Sequence, residues 1–113
     1  MNKRSIGAVY ERQAAEYLKS KGYQILENNY RCRIGEIDLI ARDGRYLVFV
    51  EVKYRSDGFC GNALEAVTVR KQHTIRRVAQ FYLLSHYLSE DIPCRFDVVG
   101  ITGTEISLVK DAF

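Results

Sequence analysis

Two short apolar runs, GEIDLIAR over residues 35–42 and YLVFVEVK over 46–53, flank Asp43-Gly44, and that pair constrains the fold more than any other feature of the chain. Aspartate and glycine both tolerate the positive φ of a type I′ turn, so the runs are predicted to pair as an antiparallel hairpin. With Asp43 and Gly44 as the two loop residues, Arg42 faces Arg45, Ile40 faces Leu47, Asp38 faces Phe49 and Glu36 faces Glu51. Alternation then sets Glu36, Asp38, Glu51 and Lys53 on one face of the sheet. Ile37, Leu39, Val48, Val50 and Val52 go to the other, where a helix can cover them. A three-residue loop would slip the pairing by one and part Asp38 from Glu51, whereas two- and four-residue loops preserve the grouping.

Like charges set opposite one another destabilise a sheet, so Glu36, Asp38 and Glu51 together call for a compensating cation. Lys53 is a partial answer. A divalent ion is a fuller one, because Mg²⁺ takes hard oxygens, typically one or two carboxylates with water and substrate phosphate. The alternative is an exposed face on which Lys53 makes an ion pair and nothing is catalysed.

At 113 residues the chain is expected to form one domain with a single core. No run is long enough for a transmembrane helix, and MNKRSIGAVYERQ lacks the apolar stretch of a signal peptide, which predicts a cytoplasmic protein with no membrane partner. Cys32, Cys60 and Cys94 form no CxxC or Cys/His cluster, so reduced thiols are expected rather than disulfides or zinc. A net charge of +3 is too small to argue for nucleic acid alone. Its distribution matters more: Arg55, Lys71, Arg76 and Arg77 lie in basic clusters, while the acids subtract charge at the proposed site.

Helical spacing of Ile6, Val9, Tyr10, Ala14, Tyr17 and Leu18 predicts a first helix from about Ser5 to Lys21, stopped by Gly22. Glu11 lies at the edge of its apolar stripe, either reaching towards the sheet or pointing to water. Tyr23 to Arg31, with Ile25 and Leu26 and then the turn-prone Asn28-Asn29, reads as a short strand leading into the hairpin, and Ser56 to Asn62 as a loop near the acids. A second helix is predicted from Thr68, its N-cap, to Leu88, with Ile75, Val78, Ala79, Tyr82 and Leu83 on the sheet. Phe81, Leu84 and Leu88 lie on another side, which predicts packing on the first helix or in a homodimer. Strands over Arg95 to Ile101 and Glu105 to Lys110 complete the order αβββαββ, an α/β fold with a mixed sheet flanked by helices. Neither His73 nor His86 looks catalytic, no serine or cysteine is tied to a base, and no glycine-rich phosphate loop is present.

Glu11 on a helix, Asp38 on a strand and Glu51-Val52-Lys53 on the next resemble the PD-(D/E)XK nuclease superfamily. Glu11, Gly35-Glu36-Ile37-Asp38-Leu39-Ile40, Phe49-Val50-Glu51-Val52-Lys53, Arg55, Lys71, Arg95-Phe96-Asp97-Val98-Val99 and Ala112-Phe113 also resemble the YraN-like family of uncharacterised bacterial proteins, over nearly the whole chain. The superfamily resemblance implies a restriction-endonuclease-like core related to archaeal Holliday junction resolvases. It implies Mg²⁺ or Mn²⁺ on Asp38 and Glu51, helped by the carbonyl of Val52, with Lys53 near the attacking water and Glu11 as an auxiliary acid. Glu36 would extend the metal site or serve structurally beside Gly35. Tyr10 stands where many relatives have glycine, which bears on how Glu11 approaches the metal.

The expected function is metal-dependent endonucleolytic cleavage of DNA, including branched DNA, with Arg55, Lys71 and Arg77 contacting phosphate. Two alternatives remain at this stage: a module of the same fold that binds nucleic acid without cutting it, and a protein-interaction scaffold with a vestigial site.

Overall fold

The computed structural model describes residues 3–55, 67–86, 88–89 and 91–113. The predicted loop over Ser56 to Asn62, Cys60 within it, and the side chain of Ile6 lie outside the described residues. The elements run α1 (Lys3–Ser20), β1 (Gln24–Cys32), β2 (Gly35–Asp43), β3 (Tyr46–Arg55), α2 (Val69–Ser85), β4 (Cys94–Thr102) and β5 (Glu105–Val109). Helix α1 stops where expected: Gly22 takes φ 94°, and the amides of Lys21 and Tyr23 both turn back to the carbonyl of Leu18. Thr68 caps α2, its hydroxyl accepting from the Lys71 amide at 3.1 Å. No helix among the described residues is long and apolar enough to cross a membrane.

One five-stranded sheet has the order β1-β2-β3-β4-β5. The β3/β4 pair is parallel, joined through α2, and the other pairs are antiparallel. The two helices cover opposite faces. Helix α1 brings Ala14 and Leu18 against Leu39, Val48, Val50 and Val99, whereas α2 packs Ile75, Val78 and Tyr82 on Ile37, Ile40, Leu47, Phe49 and Val98. Each such fully buried side chain contributes about 1.5–3 kcal/mol to folding.

This corrects four expectations. The hairpin loop is Gly44-Arg45, not Asp43-Gly44, since Asp43 pairs with Tyr46 and Arg42 with Leu47. Gly44, at φ 59°, holds the first loop position, where a type II′ turn needs glycine. Asp43 remains in the strand because Arg95 binds its carboxylate at 2.7 Å. The slide is by two residues, so Asp38 and Glu51 keep a common parity, but the pairing ends at Leu39–Val50 and Glu36 does not face Glu51 as expected. Secondly, Ile37 packs with the α2-side cluster rather than beside Leu39 and Val50, and the alternation breaks where Asn29 of the neighbouring strand takes φ 53°. Thirdly, Val9 is exposed rather than part of the α1 stripe. Lastly, the second apolar set of α2 does not meet α1, which is on the other face. Leu88 packs into the α2-side core while Phe81 and Leu84 remain exposed, so any dimer face shrinks to those two.

A polar network fastens the hairpin end of the sheet. Fully buried Asp97 accepts from Tyr23 Oη at 2.7 Å, from Arg95 Nε and Nη2 at 2.9 Å each, and from the Asp111 amide at 3.0 Å. Arg95 also lies over the rings of Tyr23 and Tyr46. Every buried side-chain polar atom among the described residues has a hydrogen-bond partner, so this carboxylate is structural and is saturated.

Candidate active site

At the opposite end of the sheet β2 and β3 part company. Their paired register ends at Leu39–Val50, beyond which β2 stays with β1 and β3 with β4. The backbone amide of Val52, left without a strand partner on that side, donates to Asp38 Oδ2 at 2.8 Å. The acids assemble in this fork. A cavity of about 300 Å³ is lined by Glu11 from α1, Glu36 and Asp38 from β2, Glu51 and Val52 from β3, and Lys71 from α2. A larger hollow of about 410 Å³ opens elsewhere, between α2 and β4, and no acid lines it.

Glu51 is 5 % exposed. Lys53 Nζ lies 3.6 Å and Lys71 Nζ 4.0 Å from its Oε1. Burial, and then the charge of Asp38, push the Glu51 carboxyl up to about 7 against the pull of both lysines. Glu11 is likewise raised to about 7, by burial, by the charge of Asp38 and by a hydrogen bond shared with Asp38. Asp38 is itself raised by burial, opposed by the Val52 amide and the bond from Glu11. Three carboxyls thus compete for too little positive charge, the condition under which acids of this kind accept either protons or a cation.

The donor chemistry suits a hard divalent ion, which all-oxygen ligands favour. Among the described residues no three acidic, histidine or cysteine side chains already stand in a closed ligand geometry. Glu11 is held by Asn29, whose amide, turned to donate, lies 2.7 and 3.1 Å from its two oxygens.

The structure therefore brings together Glu11, Asp38, Glu51, Lys53 and Lys71. Val52 contributes its amide to Asp38, and Glu36 reaches the cavity wall while paired with Arg31 at 2.9 Å. Arg55 closes β3, and Arg77 is exposed on α2 without lining the cavity. Arg76, exposed on α2, lies over the rings of Phe96 and Phe113 at 4.7 and 5.7 Å.

Asn29 was missed at the sequence level, and Lys71 was expected there as a phosphate contact but not as a partner of Glu51. Asn29 has a legible signal, since asparagine readily adopts the left-handed conformation seen there. Lys71 has one as well. It sits in the first turn of α2, a turn that holds no acidic residue, where the helix dipole disfavours a cation by about 0.3–1 kcal/mol, and a broken local rule of that kind marks functional positions.

A family model described as "Uncharacterised protein family UPF0102" matches residues 10–101, which includes Glu11, Asp38, Glu51, Lys53 and Lys71. The chain belongs to the UPF0102 family. It is 54 % identical over 113 residues to a UPF0102 protein of Lachnoclostridium phytofermentans, covering 100 % of this chain and 96 % of that one. It is 56 % identical over 118 residues to a UPF0102 protein of Alkaliphilus oremlandii, covering both chains fully. With UPF0102 protein YraN of Escherichia coli it shares 46 % identity over 108 residues, 95 % of this chain and 82 % of the relative. The YraN-like resemblance read from the sequence is thus the UPF0102 family, a family of bacterial proteins whose name carries no activity.

Proposed function

We propose that this UPF0102 protein is a Mg²⁺- or Mn²⁺-dependent DNA endonuclease of the PD-(D/E)XK type, with a restriction-endonuclease-like core. The observation that carries the reading is the convergence of Glu11, Asp38 and Glu51 on one cavity, with two lysine ammoniums on Glu51.

In this reading Asp38, Glu51 and the Val52 carbonyl hold the ion, and Glu11 assists from α1. When bound, the ion would polarise the scissile phosphate and lower the pKa of a water. The protein's own part is positional and electrostatic. Asp38 is locked by the Val52 amide, so its free oxygen points from a rigid strand. Glu51, nearly dry, keeps its orientation between Lys53 and Lys71. Lys53 Nζ stands where an ammonium can steady an attacking oxygen, and Lys71 Nζ where it can take a phosphate oxygen. Such contacts position the backbone without reading sequence.

The test is cleavage of single-stranded, duplex, flapped and four-way DNA with Mg²⁺ or Mn²⁺. At least one substrate is expected to be cut, with a chelator abolishing the cut. No cleavage of any of the four by protein that binds metal would leave a nucleic-acid-binding module in its place.

A further inference from the structure

Beside the acids stands an aromatic pair that the chemistry above does not use. Tyr10 of α1 and Tyr54 of β3 both line the acidic cavity, with ring centroids 3.6 Å apart and planes at 16°. Tyr10 is anchored against the α1-side core. Tyr54, 36 % exposed, is a large aromatic side chain left open to solvent at the end of a strand whose apolar residues are otherwise inside. Here the ring of Tyr54 is stacked on that of Tyr10 while its side chain stays 36 % exposed. A third flat ring can continue such a stack.

We propose that Tyr10 and Tyr54 form a stacking platform for an unpaired nucleobase at the mouth of the acidic cavity, so that the strand presented to Glu11, Asp38 and Glu51 is unpaired at that nucleotide. This rests on the DNA reading above and narrows it to a substrate class. In a duplex interior both faces of every base are occupied by its neighbours, so a protein ring can stack only on a base that is single-stranded, terminal or extruded. Stacking on a π-face is tolerant of base identity, which fits a site with no group yet assigned to reading base edges.

The experiment measures binding without metal, at one fixed salt concentration because phosphate contacts are salt-dependent. Fluorescence anisotropy compares an oligothymidylate, the same oligomer with its bases removed, and a blunt duplex. Tyr54→Ala is expected to weaken binding of the intact strand about tenfold, within the range for loss of one stacked base, and to leave abasic strand and duplex unchanged. Tyr54→Phe should bind as wild type does. Melting temperatures close to wild type for all variants confirm that the fold is intact. The chain has no tryptophan, so Tyr54→Trp supplies a single indole whose emission should be quenched by the intact strand and not by the abasic one. An equal loss on all three ligands, no loss, no selective quenching, or wild-type protein that binds none of them would overturn the platform. Metal-dependent cutting without base-dependent binding would remove the platform and keep the nuclease; base-dependent binding without cutting would do the reverse.

Discussion

Asp38→Asn and Glu51→Gln are each expected to abolish calorimetric binding of Mg²⁺ and Mn²⁺, while Glu51→Gln raises the melting temperature of the metal-free protein at pH 8. The two outcomes share a cause. Glu51 is buried and its carboxyl is raised to about 7 from an ordinary value of 4.5. Between those values the folded protein holds a proton that the unfolded chain has released. The stability this confers is fully present below about pH 4.5 and is lost as pH rises through about 7. Glu11 behaves in the same sense. Metal-free wild type should therefore melt at progressively lower temperature from pH 5 to pH 8, and Glu51→Gln should flatten the profile. A divalent ion stabilises only protein able to bind it, by ~2.7 kcal/mol at one hundred times its dissociation constant. Protons and the ion compete for the same oxygens, so affinity should rise with pH up to about 7 and binding should release protons, seen as heats that depend on the buffer. Equal affinity in wild type and both variants would remove the metal site.

Lys53→Met is expected to lower metal-dependent cleavage by about 10²–10³-fold, the usual loss on removing one group that stabilises transition-state charge. Most metal and DNA affinity should remain, because the ammonium acts chiefly when charge develops. Lys71, 4.0 Å from the same Glu51 oxygen, is the internal comparison. Lys71→Met should weaken DNA binding more than the cleavage step itself. Cleavage that survives Lys53→Met but is lost with Lys71→Met would exchange the two roles. If the protein only binds DNA, both variants lose affinity and salt weakens what remains. Parallel single-turnover cleavage and equilibrium binding separate these cases.

The hairpin was legible because an Asp-Gly pair between β-branched runs leaves few other folds, and parity kept Asp38 with Glu51 even though the turn slid by two residues, whereas Glu36 lies beyond the break in alternation. The slide itself was not legible. It depends on Arg95, more than fifty residues away in sequence, drawing Asp43 into the strand. Leu47-Val48-Phe49-Val50 reads equally as alternation or as one continuous apolar run, and the structure shows the latter, a strand covered on both sides. The grouping of Glu11, Asp38 and Glu51 was visible as a resemblance. What spacing could not supply was the fork between β2 and β3, since it arises from a carboxylate replacing a strand partner for the Val52 amide. The contact of Tyr10 with Tyr54 likewise needs two elements placed in three dimensions.

The fork has a cost for the sheet. From Glu51 to Arg55, β3 is paired with β4 alone among the described residues, so an interior strand becomes an edge half-way along its length. Such an edge can recruit a strand from another molecule, and charged side chains, lysine above all, are the usual safeguard. Lys53 and Arg55 occupy that stretch. The ammonium assigned to chemistry thus also guards against aggregation, and the solubility of a Lys53 variant belongs beside its activity.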